Sequence, residues 1–208
     1  VNPTPLTFGD DNGSNIQIIA TPTIPTTSSP ASVCEGSAVS FIASGSTNAS
    51  SYTFWDQVTG GTQITIGVVG NTLTTPNNLS VGNHSYFIQG ENGICLSSRK
   101  EVVVTIIATP TTPSGTYTYS ANPSCGPASI SYDAGYYFQT ASDGESVAKP
   151  TSSTYSLNAS GTIYVRAYNG TCWSPAVASN SVTISNAINI STQPTNKSIV
   201  EGGTDTIS

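Results

Sequence analysis

The sequence predicts an all-β chain of tandem β-sandwich repeats. Three observations predict it: short runs of β-branched and aromatic residues between turn-formers, segments that recur at a spacing of 80 to 90 residues, and four cysteines placed early and late in each recurring unit.

The recurrence sets the organisation. Ala20-Thr21-Pro22-Thr23-Ile24-Pro25 returns as Ala108-Thr109-Pro110-Thr111-Thr112-Pro113, a spacing of 108 − 20 = 88 residues. A weaker copy, Ser191-Thr192-Gln193-Pro194-Thr195, follows 194 − 110 = 84 residues after the second. Each copy comes directly after a β-branched run (Ile16–Ile19, Val102–Ile107, Val182–Ile190) that reads as a closing strand. The Pro/Thr segments after these strands read as short, stiff, extended connectors. Inside the units, Leu79 to Tyr86 matches Leu157 to Tyr164, and Asn92-Gly93-Ile94-Cys95 matches Asn169-Gly170-Thr171-Cys172. Val33-Cys34-Glu35-Gly36-Ser37 is echoed by Ile199-Val200-Glu201-Gly202-Gly203. The expected organisation is therefore the end of a preceding repeat over 1–20, one repeat over 21–108, a second over 109–187, and the start of a further one over 188–208.

Strand signals are regular within each unit. The first carries Val39–Ala43, Tyr52–Trp55, Gln63–Ile66, His84–Ile88 and Glu101–Ile107; the second carries Ala128–Tyr132, Tyr136–Phe138, Thr162–Tyr168 and Ser181–Ile184. No segment has the 3.6-residue apolar period of a helix. About seven short strands per unit is the pattern of an immunoglobulin-like sandwich, with other antiparallel β folds of the same strand number as the alternative. Trp55 falls where such a core wants a large ring.

Cys34, Cys95, Cys125 and Cys172 lack CxxC spacing, and His84 is the one imidazole, which favours disulfides over a zinc site. Disulfides imply an oxidising, extracellular or periplasmic compartment. The order along the chain suggests Cys34–Cys95 and Cys125–Cys172 as staples within each unit. Neighbouring glycines (Gly36, Gly93, Gly126, Gly170) place these cysteines in turns at the sandwich ends.

Charged residues make up only 8% of the chain and the formal net charge is −6. The five basic residues form no patch beyond Arg99-Lys100, so a nucleic-acid partner is not expected. No apolar run reaches the roughly 20 residues of a membrane span, so no membrane insertion is expected. His84 opens a strand and has no triad around it; the acids (Asp56, Glu91, Glu101, Asp133, Asp143, Glu145) are scattered through turns. Asp10-Asp11-Asn12-Gly13-Ser14 lacks the spacing of a calcium loop. No catalytic residue, metal ligand or cofactor site is expected. The aromatic candidates for stacking on a ligand are Trp173, Tyr168, Tyr136 and Tyr137, with Trp173 in a loop beside Cys172 the foremost.

Cys-Glu-Gly before a strand, Leu-x(6)-Tyr, and Asn-Gly-x-Cys before a β-branched strand together resemble the immunoglobulin-like repeats of very large Bacteroidetes surface proteins, including gliding-motility adhesins exported by type IX secretion. The resemblance covers roughly residues 21 to 186, and it departs from the pattern at Ser124-Cys125-Gly126-Pro127, which lacks the Glu. It implies a secreted, cell-surface stalk or adhesive array whose partners are neighbouring repeats and, at most, surface polysaccharide or other cells. The competing reading is a carbohydrate-binding accessory module of a secreted polysaccharide-degrading enzyme, which the exposed aromatics would serve.

Overall fold

The computed structural model describes residues 7–9, 15–28 and 30–185, so the Asp10–Ser14 candidate and the segment from 188 onward lie outside the described residues. All named elements are strands. They fall into two compact units. The first gathers residues up to Thr111 together with the hairpin Tyr168–Ser174; the second gathers Thr112–Ala167 and the chain from Pro175.

In the first unit a short hairpin, β1 (Thr7–Gly9) with β2 (Asn15–Gln17), precedes the sandwich. Then come β3 (Val33–Cys34), β4 (Ser40–Ile42), β5 (Ser51–Trp55), β6 (Gln63–Ile64), β7 (Val68–Val69), β8 (Thr72–Thr74), β9 (Gly82–Asn92), β10 (Cys95–Leu96) and β11 (Lys100–Ile107). One sheet runs β3-β11-β9-β5-β6 with β10 attached to β9, and the facing sheet runs β4-β8-β7. The core between them is Val39, Phe41, Ala43, Phe54, Leu73, Ile88, Val102, Val104 and Ile106. Period-two alternation supplies it: along β11, Val102, Val104 and Ile106 point inward while Val103 is 40% exposed.

Alternation also corrects the expectation for Trp55. The buried ring is Phe54, fully inaccessible and edge-on to Phe41 at 6.0 Å, and its neighbour Trp55 faces the other side of the sheet. There Arg99 stacks on the indole at 3.8 Å and donates through Nη1 to the carbonyls of Gln57 (2.6 Å) and Gly60 (2.7 Å). Gln63–Ile66 is likewise shorter than expected. The strand stops at Ile64, and Ile66 is 89% exposed.

The Thr21–Pro25 segment is extended, as its prolines demand, but it belongs to the sandwich and is no free connector. Thr23 N–H donates to Thr47 O (3.0 Å), and Thr26 and Ser44 exchange backbone bonds of 2.8 and 3.0 Å. The Ser46 hydroxyl donates to Thr23 O, and Pro25 is fully buried.

The second unit holds β12 (Thr118–Tyr119), β13 (Ala128–Ser131), β14 (Tyr137–Gln139), β15 (Tyr155–Leu157), β16 (Tyr164–Arg166) and β17 (Val177–Ala178). Two three-stranded sheets, β12-β13-β15 and β14-β16-β17, enclose Ala128, Ile130, Tyr132, Phe138, Leu157, Ile163, Val165 and Val182. Ser181–Ile184 contributes isolated bridges at Val182 and Ile184 in place of the expected strand.

Among the described residues a single hydrogen-bonding device occurs four times and accounts for part of the Ser/Thr richness. Thr75 N–H donates to Val39 O (2.8 Å) while Val39 N–H donates to the Thr75 hydroxyl (3.0 Å). Ser97 closes the same ring on Gly90 (2.9 and 2.9 Å), Thr151 on Tyr136 (2.9 and 3.1 Å), and Ser179 on Ile163 (2.7 and 2.9 Å). All four are buried. In each ring the hydroxyl replaces a ladder carbonyl, so a buried N–H that would otherwise be orphaned is satisfied.

Phe54→Ala should destabilise the first unit by about 3–5 kcal/mol, and Trp55→Ala by no more than about 1 kcal/mol, measured by denaturant unfolding. The reverse order would return Trp55 to the core. In the second unit, burial pushes the Tyr117 phenol above its ordinary value of 10.0, and its hydroxyl donates to Val177 O at 2.7 Å. Because the folded state favours the neutral phenol, the stabilisation is complete below pH 10 and falls as pH rises beyond it. Tyr117→Phe should cost about 1 kcal/mol at neutral pH and reduce the alkaline loss, which a pH series of melting curves will read.

Candidate functional site

Among the described residues, the disulfide is carried by a hairpin tip. Gly170, with φ 97°, supplies the left-handed turn residue of the Asn169–Cys172 tip. Asn169 Oδ1 accepts from Thr171 N–H (3.1 Å) and Cys172 N–H (2.8 Å), and Asn169 N–H donates to Cys172 O (3.2 Å). Tyr168 and Trp173 flank the tip as a bridged pair with rings stacked at 4.4 Å and tilted by 23°. The Tyr168 hydroxyl donates to Gly170 O at 2.7 Å.

This tip grips the end of β11. Asn169 Nδ2 donates to Ala108 O at 2.9 Å, and Cys172 Sγ lies 3.9 Å from Ile107 O. Beside Ile107 runs β3, parallel and in register, with Cys34 opposite Ile107 and Glu35 N–H donating to Ile107 O at 2.9 Å. The two sulfurs meet there. Cys34 and Cys172 are disulfide-bonded with Cα atoms 5.6 Å apart, and Cys172 is fully buried.

The pairing expected from chain order is therefore corrected: the bond is Cys34–Cys172, with Cys95 and Cys125 as free thiols. The strand register gives the reason. Cys34 stands opposite Ile107, whose neighbour Ile106 faces Gly82 at the start of β9, whereas Cys95 stands opposite Asn92 at its end. Ten residues of strand separate those levels, about 33 Å, against the 4.4–6.8 Å between Cα atoms that a disulfide tolerates. The early and late cysteines of the first repeat sit at opposite ends of its sandwich.

The aromatic candidates divide between the two units. Tyr168 and Trp173 cover one face of each other in the disulfide hairpin of the first unit. Tyr136 packs edge-on against Tyr132 at 5.7 Å, and Tyr137 lies in β14 opposite Arg166, both within the second unit. His84 is half-buried on β9, with Nε2 2.7 Å from Ser80 O. Among the described residues no cluster of His, Cys, Asp or Glu could hold a metal ion, and no helix is long and apolar enough to cross a membrane.

The hairpin tip has a second copy. Asn92 Nδ2 donates to Ala20 O at 3.2 Å, the Cys95 thiol donates to Ile19 O at 3.7 Å, and Gly93 takes the positive φ of 61°. The repeated Ala-Thr-Pro and Asn-Gly-x-Cys motifs are thus the two sides of one contact. Their recurrence was legible in the sequence; that they touch was not.

Residues 22–110 match the family described as Ig-like domain CHU_C associated. That match spans the first repeat. Solved structures similar to the chain include the FN1-FN3 domains of chicken CNTN1, at 13% identity over 86% of this chain and 76% of that one, with a TM-score of 0.43. The fibronectin(III)-like modules of Clostridium thermocellum CbhA share 17% identity over 78% of this chain and 95% of theirs, with a TM-score of 0.42. Domains A168-A170 of titin share 14% identity over 84% of this chain and 72% of theirs, with a TM-score of 0.41. No curated protein matches. The fold is an immunoglobulin-like β-sandwich, consistent with a structural or adhesive repeat module.

Alkylation of the native, unreduced chain should modify Cys95 and Cys125 and spare Cys34 and Cys172, as read by peptide mass. Cys34→Ser should lower stability by up to about 5 kcal/mol, the chain-entropy value for a loop of this length. A recovered Cys34–Cys95 peptide would refute the register argument.

Proposed function

We propose that this chain is a structural and adhesive repeat segment of a large secreted cell-surface protein, serving as a braced, non-catalytic spacer outside the cell. The observation that carries it is the Cys34–Cys172 bond, which joins residues 138 apart in sequence and pins a hairpin of the second repeat onto the closing strand of the first unit. A bond of that reach does nothing for catalysis and much for a chain under tension. The buried Pro25 and the hydroxyl-closed rings at Thr75 and Ser97 brace the same unit. The gliding-motility and type IX export reading follows from the resemblance of the Cys-Glu-Gly and Asn-Gly-x-Cys motifs and belongs to the same proposal. Its partners are neighbouring repeats and, through them, surfaces or other cells.

Single-molecule pulling from the two ends tests the spacer role. With the disulfide intact, the residues between Cys34 and Cys172 cannot extend, hiding about 480 Å of contour length. Reductant should release that length in the same molecule. An equal contour length with and without reductant would remove the bond, and with it the mechanical reading.

A further inference from the structure

Cys95 sits in a half-built copy of the Cys34–Cys172 clasp, and Cys125 sits in the complementary half. On the hairpin side the correspondence holds contact by contact: Asn92 to Ala20 O matches Asn169 to Ala108 O, and Cys95 beside Ile19 O matches Cys172 beside Ile107 O. Among the described residues no strand like β3 runs alongside Ile19 with a cysteine in register. On the strand side the second unit repeats the geometry of β3. Ser124 bridges Ile184 in parallel, donating to Thr183 O at 2.9 Å and accepting from Ser185 N–H at 2.8 Å. Cys125 follows Ser124 as Cys34 follows Val33, and it is exposed.

We propose that Cys95 and Cys125 are the open halves of further clasps, each made with another repeat of this kind. Cys95 takes the thiol of a Cys34-like first strand in a repeat joined ahead of residue 21, and Cys125 takes the Asn-Gly-x-Cys tip of a repeat joined behind. The inference rests on the Cys34–Cys172 clasp. The Asn side chain docks the tip on the neighbour's closing strand before any covalent step. The thiols then exchange with a small-molecule disulfide such as oxidised glutathione. One thiolate attacks the reagent and expels one thiol. The second attacks the mixed disulfide and expels the other, so the protein loses two hydrogens and the reagent becomes two thiols. Each repeat then spends its two cysteines on two different neighbours, with none left for itself.

A chain with residues 21–108 duplicated in tandem (1–108 followed by 21–208) supplies the missing partner. Its upstream copy carries Ser37→Thr, so that its Cys34 peptide is heavier by one methylene. Oxidised with glutathione disulfide and mapped without reduction, it should link the downstream Cys95 to the heavier Cys34 and the unmarked Cys34 to Cys172. The upstream Cys95 and Cys125 should remain alkylatable. If Cys34–Cys172 forms while the downstream Cys95 stays free or finds any other partner, the inference is overturned. If Cys34–Cys172 itself fails to form, in this chain and in the parent, the clasp beneath it falls first.

Discussion

The rest of the structure depends on the register between β3, β11 and β9. Because β3 runs parallel to the end of β11, it delivers Cys34 to the level of Ile107. Because β9 runs antiparallel to β11 over seven residue pairs, its far end carries the Asn92–Cys95 tip to the opposite pole of the sandwich. A sheet has no slack in this direction. A slip of one residue would invert every side chain of β11 and take Val102, Val104 and Ile106 out of the core. The hydrophobic alternation that specifies the fold therefore also specifies which sulfurs meet.

Much of the fold was legible because period-two patterning and turn residues are local signals. Tyr52–Trp55 and Glu101–Ile107 fall on strands of the sandwich, and Val39–Ala43 contains β4 at its centre, Ser40–Ile42. The failures share a cause, which is that they depended on where elements lie in space. Phe54 and Trp55 are adjacent rings in one strand, and only the position of the facing sheet decides which is buried. Thr21–Pro25 has the composition of a linker, and only its proximity to Ser44–Thr47 makes it part of the sandwich. Glycines beside the cysteines suggested turns, but Cys34 ends β3 and Cys95 opens β10, and chain order carries no information about which end of a sandwich a cysteine occupies.

The site was legible in fragments. Asn-Gly-x-Cys and Ala-Thr-Pro each announced themselves by recurring, and each copy of the first touches a copy of the second. The ligand-stacking aromatics show the opposite case. Tyr168 and Trp173 carry the composition of a binding surface, yet their rings stack on one another across the neck of the hairpin that presents Cys172. An aromatic beside a cysteine in a loop serves the hairpin's own geometry as readily as it serves a ligand.

The four serine and threonine rings carry a consequence for the surroundings in which such a chain can work. A hydroxyl accepting an amide proton has no ionised state near neutrality, and no formal charge for dissolved ions to screen. The closures at Thr75, Ser97, Thr151 and Ser179 therefore keep the same strength in dilute and in saline water, and across the acid range where carboxylate pairs fail. A chain with only 8% charged residues has moved part of its strand-joining chemistry onto groups indifferent to the medium.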